Sequence, residues 1–549
     1  MRRVKALIFL TATMRLMPAV TIEQYHPHDF TLSGQASGSP GNASGNPFDV
    51  EVRGEFTGPD GTRITVPGFY AGGNIWKIRF SPTKPGRWSM LTVSPVAALN
   101  AHTETDIQCT GNSNPAIHGG LFVDPVNRHH FIHEDGSRYF LMGYEADWLW
   151  GADMKDPERK VMRHLIDQIA ARGFNHLLVN VYAYDTSWSK GHQNQWDYGP
   201  TDIYVFGGTN DKPDHARLNT AFFDVYDGMM NALLERGIVA NVMIKVYNKM
   251  VNWPQPGSKD EERYFRYVTA RYQAYPNIIW DFSKEAYNER DKSLEKRLID
   301  LVRASDGYHR LTTAHDNDLY DWDPKLNTNL DFRTDQEHFH WKEMVLFDRQ
   351  ILPWPIVNSE LYYERGVDDL PTYSVKQDWQ DMIRGAYEVY LSGGYFVYYY
   401  SNTAWDVVKP DPEPPGMPRF QTLKENLAPL PYWLMEPKPE LAAGGPCLAI
   451  PGEVYAYLVQ PSRRPEGSPA PPPTASRPPR VNSGRPSLGQ AREIAVNLNA
   501  LQGPATAQWV NIWSGEKSES AISGPGVYQF NRPPSFGAAP GLLIVRARH

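Results

Sequence analysis

Over the first hundred residues, hydrophobic and polar positions alternate. Phe48, Val50, Val52 and Phe56 alternate with polar neighbours, and Trp76, Ile78 and Phe80 do so again. Pro59-Asp60-Gly61 and Pro85-Gly86 supply turns, the second just before Trp88. A period of two in short runs broken by turn residues predicts half-buried strands, here an all-β sandwich over residues 20–110.

Beyond Gly119 the period changes. A helix is predicted from Asp156-Pro157 to just before Gly173, with Val161, Leu165 and Ile169 at fourfold spacing, and an apolar strand over 177–181 follows it. The unit then repeats. Phe222, Phe223, Tyr226, Met230 and Leu233 lead through Gly237 into 238–244. A Ser258-x-x-Glu261 capping box opens a helix with Tyr264, Tyr267 and Val268 that leads into 277–282. Leu294, Leu298 and Leu301 lead through Gly307 into 310–314, and helices over 341–347 and 378–390 precede strands over 356–359 and 394–399. With 139–143 in front and 330–333 in the middle, eight strands alternate with helices, which predicts an α/β fold, a (β/α)8 TIM barrel, over 119–432. An open doubly wound sheet is the alternative, and no glycine-rich phosphate loop follows the first strand to support it. After Trp433 the helical period ends. Short apolar runs at 448–450, 454–459, 494–496, 510–512 and 542–545 predict a C-terminal β-sandwich domain over 440–549. A Pro-, Ser- and Arg-rich stretch at 462–485 reads as a disordered insertion in it.

A chain of 549 residues is too long for one core, consistent with three domains. Its net charge of −7, from 55 basic and 62 acidic residues, has no basic excess for nucleic acid or an anionic membrane. Aromatics make up 12% of the chain, with 16 Trp and 30 Tyr, and such rings stack on the apolar faces of sugars, so carbohydrate is the expected partner. Cys109 and Cys447 are the only cysteines, which gives no disulfide framework. Residues 1–19, with Arg2, Arg3 and Lys5 before an apolar run and Pro18-Ala19 at its end, read as a signal peptide interrupted by Arg15. A secreted or periplasmic location is expected on that basis, with a cytoplasmic one as the alternative. No later run reaches the ~18 apolar residues of a membrane helix.

In such a barrel, chemistry sits at the strand C-termini. The predicted strands end, in order, at Glu145-Ala146-Asp147-Trp148, at Asn180 and Tyr182, at Lys245 and Tyr247, at Glu285, at His315-Asp316, at Asp335-Gln336-Glu337-His338, at Glu360 and near Trp405-Asp406. Glu285 and Glu360 each close a tryptophan-led run and lie 75 residues apart, the span of two further strand-helix units. Two carboxylates facing one cavity are the minimum equipment for splitting a glycosidic bond: one protonates the leaving oxygen, the other attacks or steadies the anomeric carbon. Glu289 and Glu364 each follow a favoured glutamate by four residues and are read as loop residues; Asp281 is read as structural. His315 and His338 are candidates for substrate contact or loop packing, and Trp148 and Trp405 for stacking on sugar or core packing. His338-Phe339-His340 has no third ligand pattern nearby, so no metal is expected.

At these residues the chain resembles clan A glycoside hydrolases, and more closely the apiosidase-like (DUF4038) barrels that carry an N-terminal DUF5060 β-sandwich. Asn46-Pro47-Phe48-Asp49-Val50, Gly68-Phe69-Tyr70 and Phe80-Ser81-Pro82-x-x-Pro85-Gly86-x-Trp88 carry the sandwich resemblance. The resemblance implies a retaining glycosidase, without a cofactor, that degrades polysaccharide or oligosaccharide, with Glu285 as acid/base and Glu360 as nucleophile. Clan members commonly have Asn before the acid/base, contacting the sugar 2-hydroxyl; here Lys284 stands there. With Lys245 and Arg365 near the same rim, Lys284 suggests a substrate bearing a carboxylate, or a furanose of unusual shape. Glu145, Asp147, Trp148, Asn180, Lys245, Lys284, His315, His338 and Trp405 complete the expected binding set. Two rivals remain: a non-catalytic carbohydrate-binding protein, and a polysaccharide lyase using Lys245 as charge neutraliser.

Overall fold

The computed structural model describes residues 20–35, 45–156, 158–185, 203–316, 330–366, 376–405, 407–442, 445–460 and 493–548. The proposed signal peptide, the Pro-rich stretch, Pro157 and Asp406 lie outside them. The centre is a parallel sheet closed on itself: β1 (Met142–Glu145), β2 (His176–Asn180), β3 (Val239–Val246), β4 (Ile278–Lys284), β5 (Thr312–Thr313, continued by His315–Asp316), β6 (Arg333–Asp335), β7 (Ile356–Asn358) and β8 (Tyr395–Tyr399). Each strand pairs in parallel with its sequence neighbours, β7 with both β6 and β8, and β8 pairs back onto β1. The circle passes through β5, whose first half pairs with β4 and second half with β6 on either side of Ala314. This is the (β/α)8 barrel read from the sequence. Every residue of β3, β4 and β8 is buried, as expected for parallel strands covered on both faces.

Eight α-helices of the barrel region are described: α1 (Leu149–Lys155), α2 (Lys160–Ala171), α3 (Thr220–Glu235), α4 (Lys259–Tyr272), α5 (Lys292–Ser305), α6 (Trp341–Ile351), α7 (Trp379–Leu391) and α8 (Met417–Leu427). Several starts are fixed by side chains. Asn219, Ser258 and Asp291 accept hydrogen bonds from first-turn amides of α3, α4 and α5. The helix expected at Asp156 begins instead at Lys160, because the Asp156 carboxylate takes the amides of Lys160 and Val161 at 2.7 and 3.1 Å. The capping box at Ser258 is half formed. Ser258 caps the Glu261 amide, but the Glu261 carboxylate turns to the Gly257 amide and to Lys245.

Two strands are displaced from their predicted limits. Tyr139 belongs to a short antiparallel strand, Arg138–Tyr139, turned back on Phe131–His133 at Asp135-Gly136, so β1 starts only at Met142 and contains Glu145. β6 begins at Arg333, where pairing with Ile356 of β7 starts, and so takes in Asp335.

Ahead of the barrel lie a five-stranded and a three-stranded sheet whose facing side chains share one core, with Phe56 stacked on Phe80 at 3.7 Å and Trp76 and Trp88 fully buried. The hairpin at Pro59–Gly61 joins Arg53–Thr57 to Arg63–Pro67, with Asp60 at φ 58°. This region is bolted to α3 and α4 through Arg79, which donates to Asp29 at 2.7 Å, Asp227 at 2.8 Å and the Arg271 carbonyl at 3.1 Å. Behind the barrel, a six-stranded antiparallel sheet runs from Glu436–Pro437 to Gly541–Ala547, with Glu493–Asn497 paired to Val527–Asn531 beside it. Cys109 and Cys447 are buried, unbonded, in the first and last of these regions. No helix among the described residues is long and apolar enough to cross a membrane.

Candidate active site

β1, β4, β5, β7 and β8 deliver their C-terminal residues to one place. Lys284, the last residue of β4, sits between three carboxylates: its ammonium is 2.5 Å from Glu145 Oε1, 3.2 Å from Asp147 Oδ2 and 3.6 Å from Glu360 Oε2. Tyr399 at the end of β8 donates to Asp147 Oδ2 at 2.6 Å, and its ring lies 5.3 Å from the Lys284 ammonium. His315 Nε2 is 3.4 Å from Glu360 Oε2 and 3.0 Å from the Ser359 hydroxyl, which itself donates to the Asp335 carbonyl. The His315 amide donates to Asp281, which also takes the Asn241 side chain and the Ser283 amide. Asp281 therefore ties β3, β4 and β5 together.

Glu285 follows β4 with left-handed backbone, φ 56° and ψ 49°. For a residue with a Cβ that conformation costs on the order of 1–3 kcal/mol and persists only where the surroundings hold it. Asn248 and Asn288 donate to its two carboxylate oxygens, and Tyr287 hydrogen-bonds to it as well.

The two glutamates are pushed in opposite directions. Burial raises the Glu285 carboxyl, and the charge of Glu360 raises it further, against the opposing pull of Lys284 and Tyr287. Burial would also raise Glu360, but Lys284, then His315 and His338, outweigh it and hold its carboxyl at about 2. Glu145 is pushed strongly upward, through burial and then the charge of Asp147, while Lys284 opposes the shift. Lys284 loses from burial but is carried well above the ordinary lysine range by Asp147, Glu145 and Glu360, so it stays charged.

A family profile described as "Apiosidase-like, catalytic domain" matches residues 126–433, more than half of the chain and the whole of the barrel. The chain belongs to the apiosidase-like family. A domain of unknown function, DUF5060, matches residues 21–94. A comparison with curated proteins gives no match. Among solved structures, a candidate glycoside hydrolase of Bacteroides vulgatus is similar over 96% of this chain and 99% of its own, at 18% identity and a TM-score of 0.72. A glycoside hydrolase family 5 protein of the same organism is similar over 78% of this chain and 94% of its own, at 16% identity and a TM-score of 0.55. A further structure titled glycoside hydrolase covers 78% of this chain and 97% of its own, at 17% identity and a TM-score of 0.54. At these identities the likeness is one of fold.

Within this apiosidase-like barrel the remaining expected residues fall into two groups. Asn180 lies against the cluster, its amide donating to the Asp147 carbonyl, and its fully buried side chain has no hydrogen-bond partner among the described residues. Trp405, at φ 50°, packs on Tyr363 and Tyr399 with ring centroids 5.2 and 5.7 Å away. His338 stacks on Tyr362 and meets the Leu361 carbonyl through Nδ1. Trp148 is fully buried and stacked on Trp150, a packing partner with no exposed face. Lys245 is engaged elsewhere: buried, it pairs with Glu261 of α4 at 2.8 Å and lies over the Tyr247 ring, which corrects its expected place in the binding set. Arg365 is exposed and 3.6 Å from Asp378. Both lysines are paired with carboxylates in this structure, Lys245 with Glu261 and Lys284 with Glu145, Asp147 and Glu360. Glu289 accepts from Tyr247, while Glu364, buried, takes the Tyr398 hydroxyl and the Gly416 amide.

The sequence reading missed Tyr399, Asn248, Lys249, Tyr287 and Asn288. Lys249 lies 5.9 Å from the Trp405 ring centroid; burial and then Lys284 lower its pKa against the pull of Asp147, Asp185 and Glu285. Tyr399 ends β8 and was open to the strand-end rule. The others stand two to four residues beyond strand ends, where no periodicity marks them.

Proposed function

We propose that this protein is a retaining glycoside hydrolase acting on O-glycosidic bonds of a polysaccharide or oligosaccharide, with Glu360 as nucleophile and Glu285 as acid/base. The observation that carries this reading is the placement of two carboxyls at the ends of β4 and β7 in unlike surroundings: Glu360 has the Lys284 ammonium at 3.6 Å and His315 Nε2 at 3.4 Å, which favour its charged form, while burial and then the charge of Glu360 push Glu285 toward its acid form. A pair of titratable groups driven apart in this way is how one site supplies both an acid and a nucleophile near neutral pH. The ionised Glu360 attacks the anomeric carbon, the bond to the leaving oxygen breaks, and the Glu285 proton passes to that oxygen. Glu285, now a base, takes a proton from water; the hydroxide attacks the anomeric carbon and releases Glu360 as carboxylate. The chemistry needs no cofactor.

A polysaccharide lyase would require a cation beside the reacting sugar, and Lys245, its expected neutraliser, is already paired with Glu261. The test is sugar release by wild type and Glu360→Ala side by side, on plant, algal and bacterial polysaccharides and on aryl glycosides including furanosides and uronides. Release that vanishes in the variant supports the reading; binding without release by either protein supports a carbohydrate-binding role instead. Proton NMR of the first-formed anomer then separates retention, expected for carboxyls about 5–5.5 Å apart, from inversion, expected at roughly 6.5–9.5 Å.

A further inference from the structure

Lys284 occupies the position at which the sequence comparison expects a sugar-contacting side chain, yet its surroundings suit a different task. The ammonium is buried with 1% of the side chain exposed, and three carboxylates and one aromatic face claim its directions. The distances are graded. Glu145 and Asp147, both from the β1 end, hold it at 2.5 and 3.2 Å, and Glu360 is farthest, at 3.6 Å. A lysine paired with Glu360 alone would close to a hydrogen-bonded ion pair and quench the lone pairs that attack carbon. Anchored from β1, it supplies charge at slightly longer range, which favours the ionised carboxylate and leaves the oxygen free to react. Burial and then the charge of Asp147 push Glu145 toward its neutral form, which eases the repulsion between them.

We propose that Lys284 is a positioning residue rather than a sugar-recognition residue: anchored by Glu145 and Asp147, its ammonium keeps Glu360 ionised and oriented for attack. The inference rests on the assignment of Glu360 as nucleophile. The groups facing Glu360 are Lys284 from β4, His315 from β5, His338 beyond β6, Glu145 from β1, Tyr399 from β8, and Glu285 and Tyr287 beyond β4, with Asp147 reaching it through Lys284. Of these, Lys284 is the largest source of stabilisation for the charged form. Its removal leaves burial to act on Glu360 with the two histidines opposing.

The experiment compares the full-length wild type with Lys284→Met and with Lys284→Met/Asp147→Asn, which removes one positive and one negative charge together and protects folding. On the aryl glycoside that the wild type hydrolyses fastest, both variants should lose about 100-fold or more in kcat with KM little changed. The acidic limb of kcat/KM should move up by about one to three pH units. A folded double variant whose acidic limb stays at the wild-type pH overturns the proposal, as does a loss confined to KM. Difference infrared titration against Glu360→Gln reads the Glu360 carboxyl directly and needs no substrate. A Glu360 band that protonates at higher pH in the variants supports the electrostatic role even where no glycoside is cleaved, in which case the hydrolase reading alone fails. Glu360-dependent hydrolysis with an unmoved infrared titration sinks the role of Lys284 and leaves the hydrolase intact.

Discussion

Glu285 and Glu360 carry the same functional group, and the difference between them lies in their neighbours. The proposed mechanism requires Glu285 protonated and Glu360 ionised for its first step. Activity should therefore fall as pH rises through the raised pKa of Glu285, above the ordinary 4.5, and fall at the acid end only as pH drops toward about 2. A pH–rate profile of kcat/KM checks both limbs; a basic limb at or below 4.5 would remove Glu285 from the acid role. Replacing Glu285 by Gln should lower kcat by about 10²–10⁴-fold on alkyl glycosides, which need a proton on the leaving oxygen, and much less on activated aryl glycosides. Equal losses on both would contradict general acid catalysis. The two glutamates were legible in the sequence because each closes an apolar run, and strand ends are where a parallel barrel places polar side chains. The surroundings of Lys284 were not legible: a lysine beside a glutamate carries no mark of which acids will surround it, and here two come from the end of β1 and the residues just after it, 139 and 137 positions earlier in the chain.

At the scale of elements, caps decided more than periodicity did. Fourfold spacing located α2, but its start moved to Lys160 because Asp156 found two free amides there. The Ser258-x-x-Glu261 pattern correctly marked the start of α4, though Glu261 is diverted from the box to the buried ammonium of Lys245. A carboxylate beside a buried cation gains more there than from one more exposed amide. Ser258→Ala should destabilise the protein by about 1 kcal/mol through the lost cap. Glu261→Gln should cost more, since it leaves a buried lysine without its counter-ion. Chemical denaturation of both variants ranks them, and the reverse order would contradict the assigned roles.

At the scale of the whole molecule, the sandwich region and the barrel meet through charge and close backbone approach. Asp227 bridges Arg79 from the first region and Arg271 of α4, with contacts of 2.8 and 2.9 Å, and Gly307 lies so near the Thr65 carbonyl that an added Cβ would stand 2.1 Å from that oxygen. Asp227→Ala leaves two buried guanidiniums with one carboxylate each, Asp29 for Arg79 and Asp224 for Arg271, and should cost about 3 kcal/mol. Gly307→Ala should lower the melting temperature by forcing the two regions apart, and an unchanged Tm would show that the junction yields freely. The Asp227 carboxyl feels burial first, yet Arg79 and Arg271 outweigh it and depress its pKa to about 2 from 3.8. Its contribution is therefore complete above pH 3.8 and is lost as pH falls toward 2. Denaturant titrations across that window should lose less stability in Asp227→Ala than in wild type.

What the sequence determined by itself was local and periodic: alternation in the first hundred residues, repeated helix-strand units from Gly119, and the polar tips of eight strands. These follow from side-chain geometry within a few residues, so composition and spacing carry them. Only the closed barrel decided which tips meet. It turned Lys245 to α4, brought Glu145 and Asp147 to Lys284, and biased the Glu285 and Glu360 carboxyls in opposite directions, because burial and charge depend on what surrounds a group in space rather than on what adjoins it in the chain.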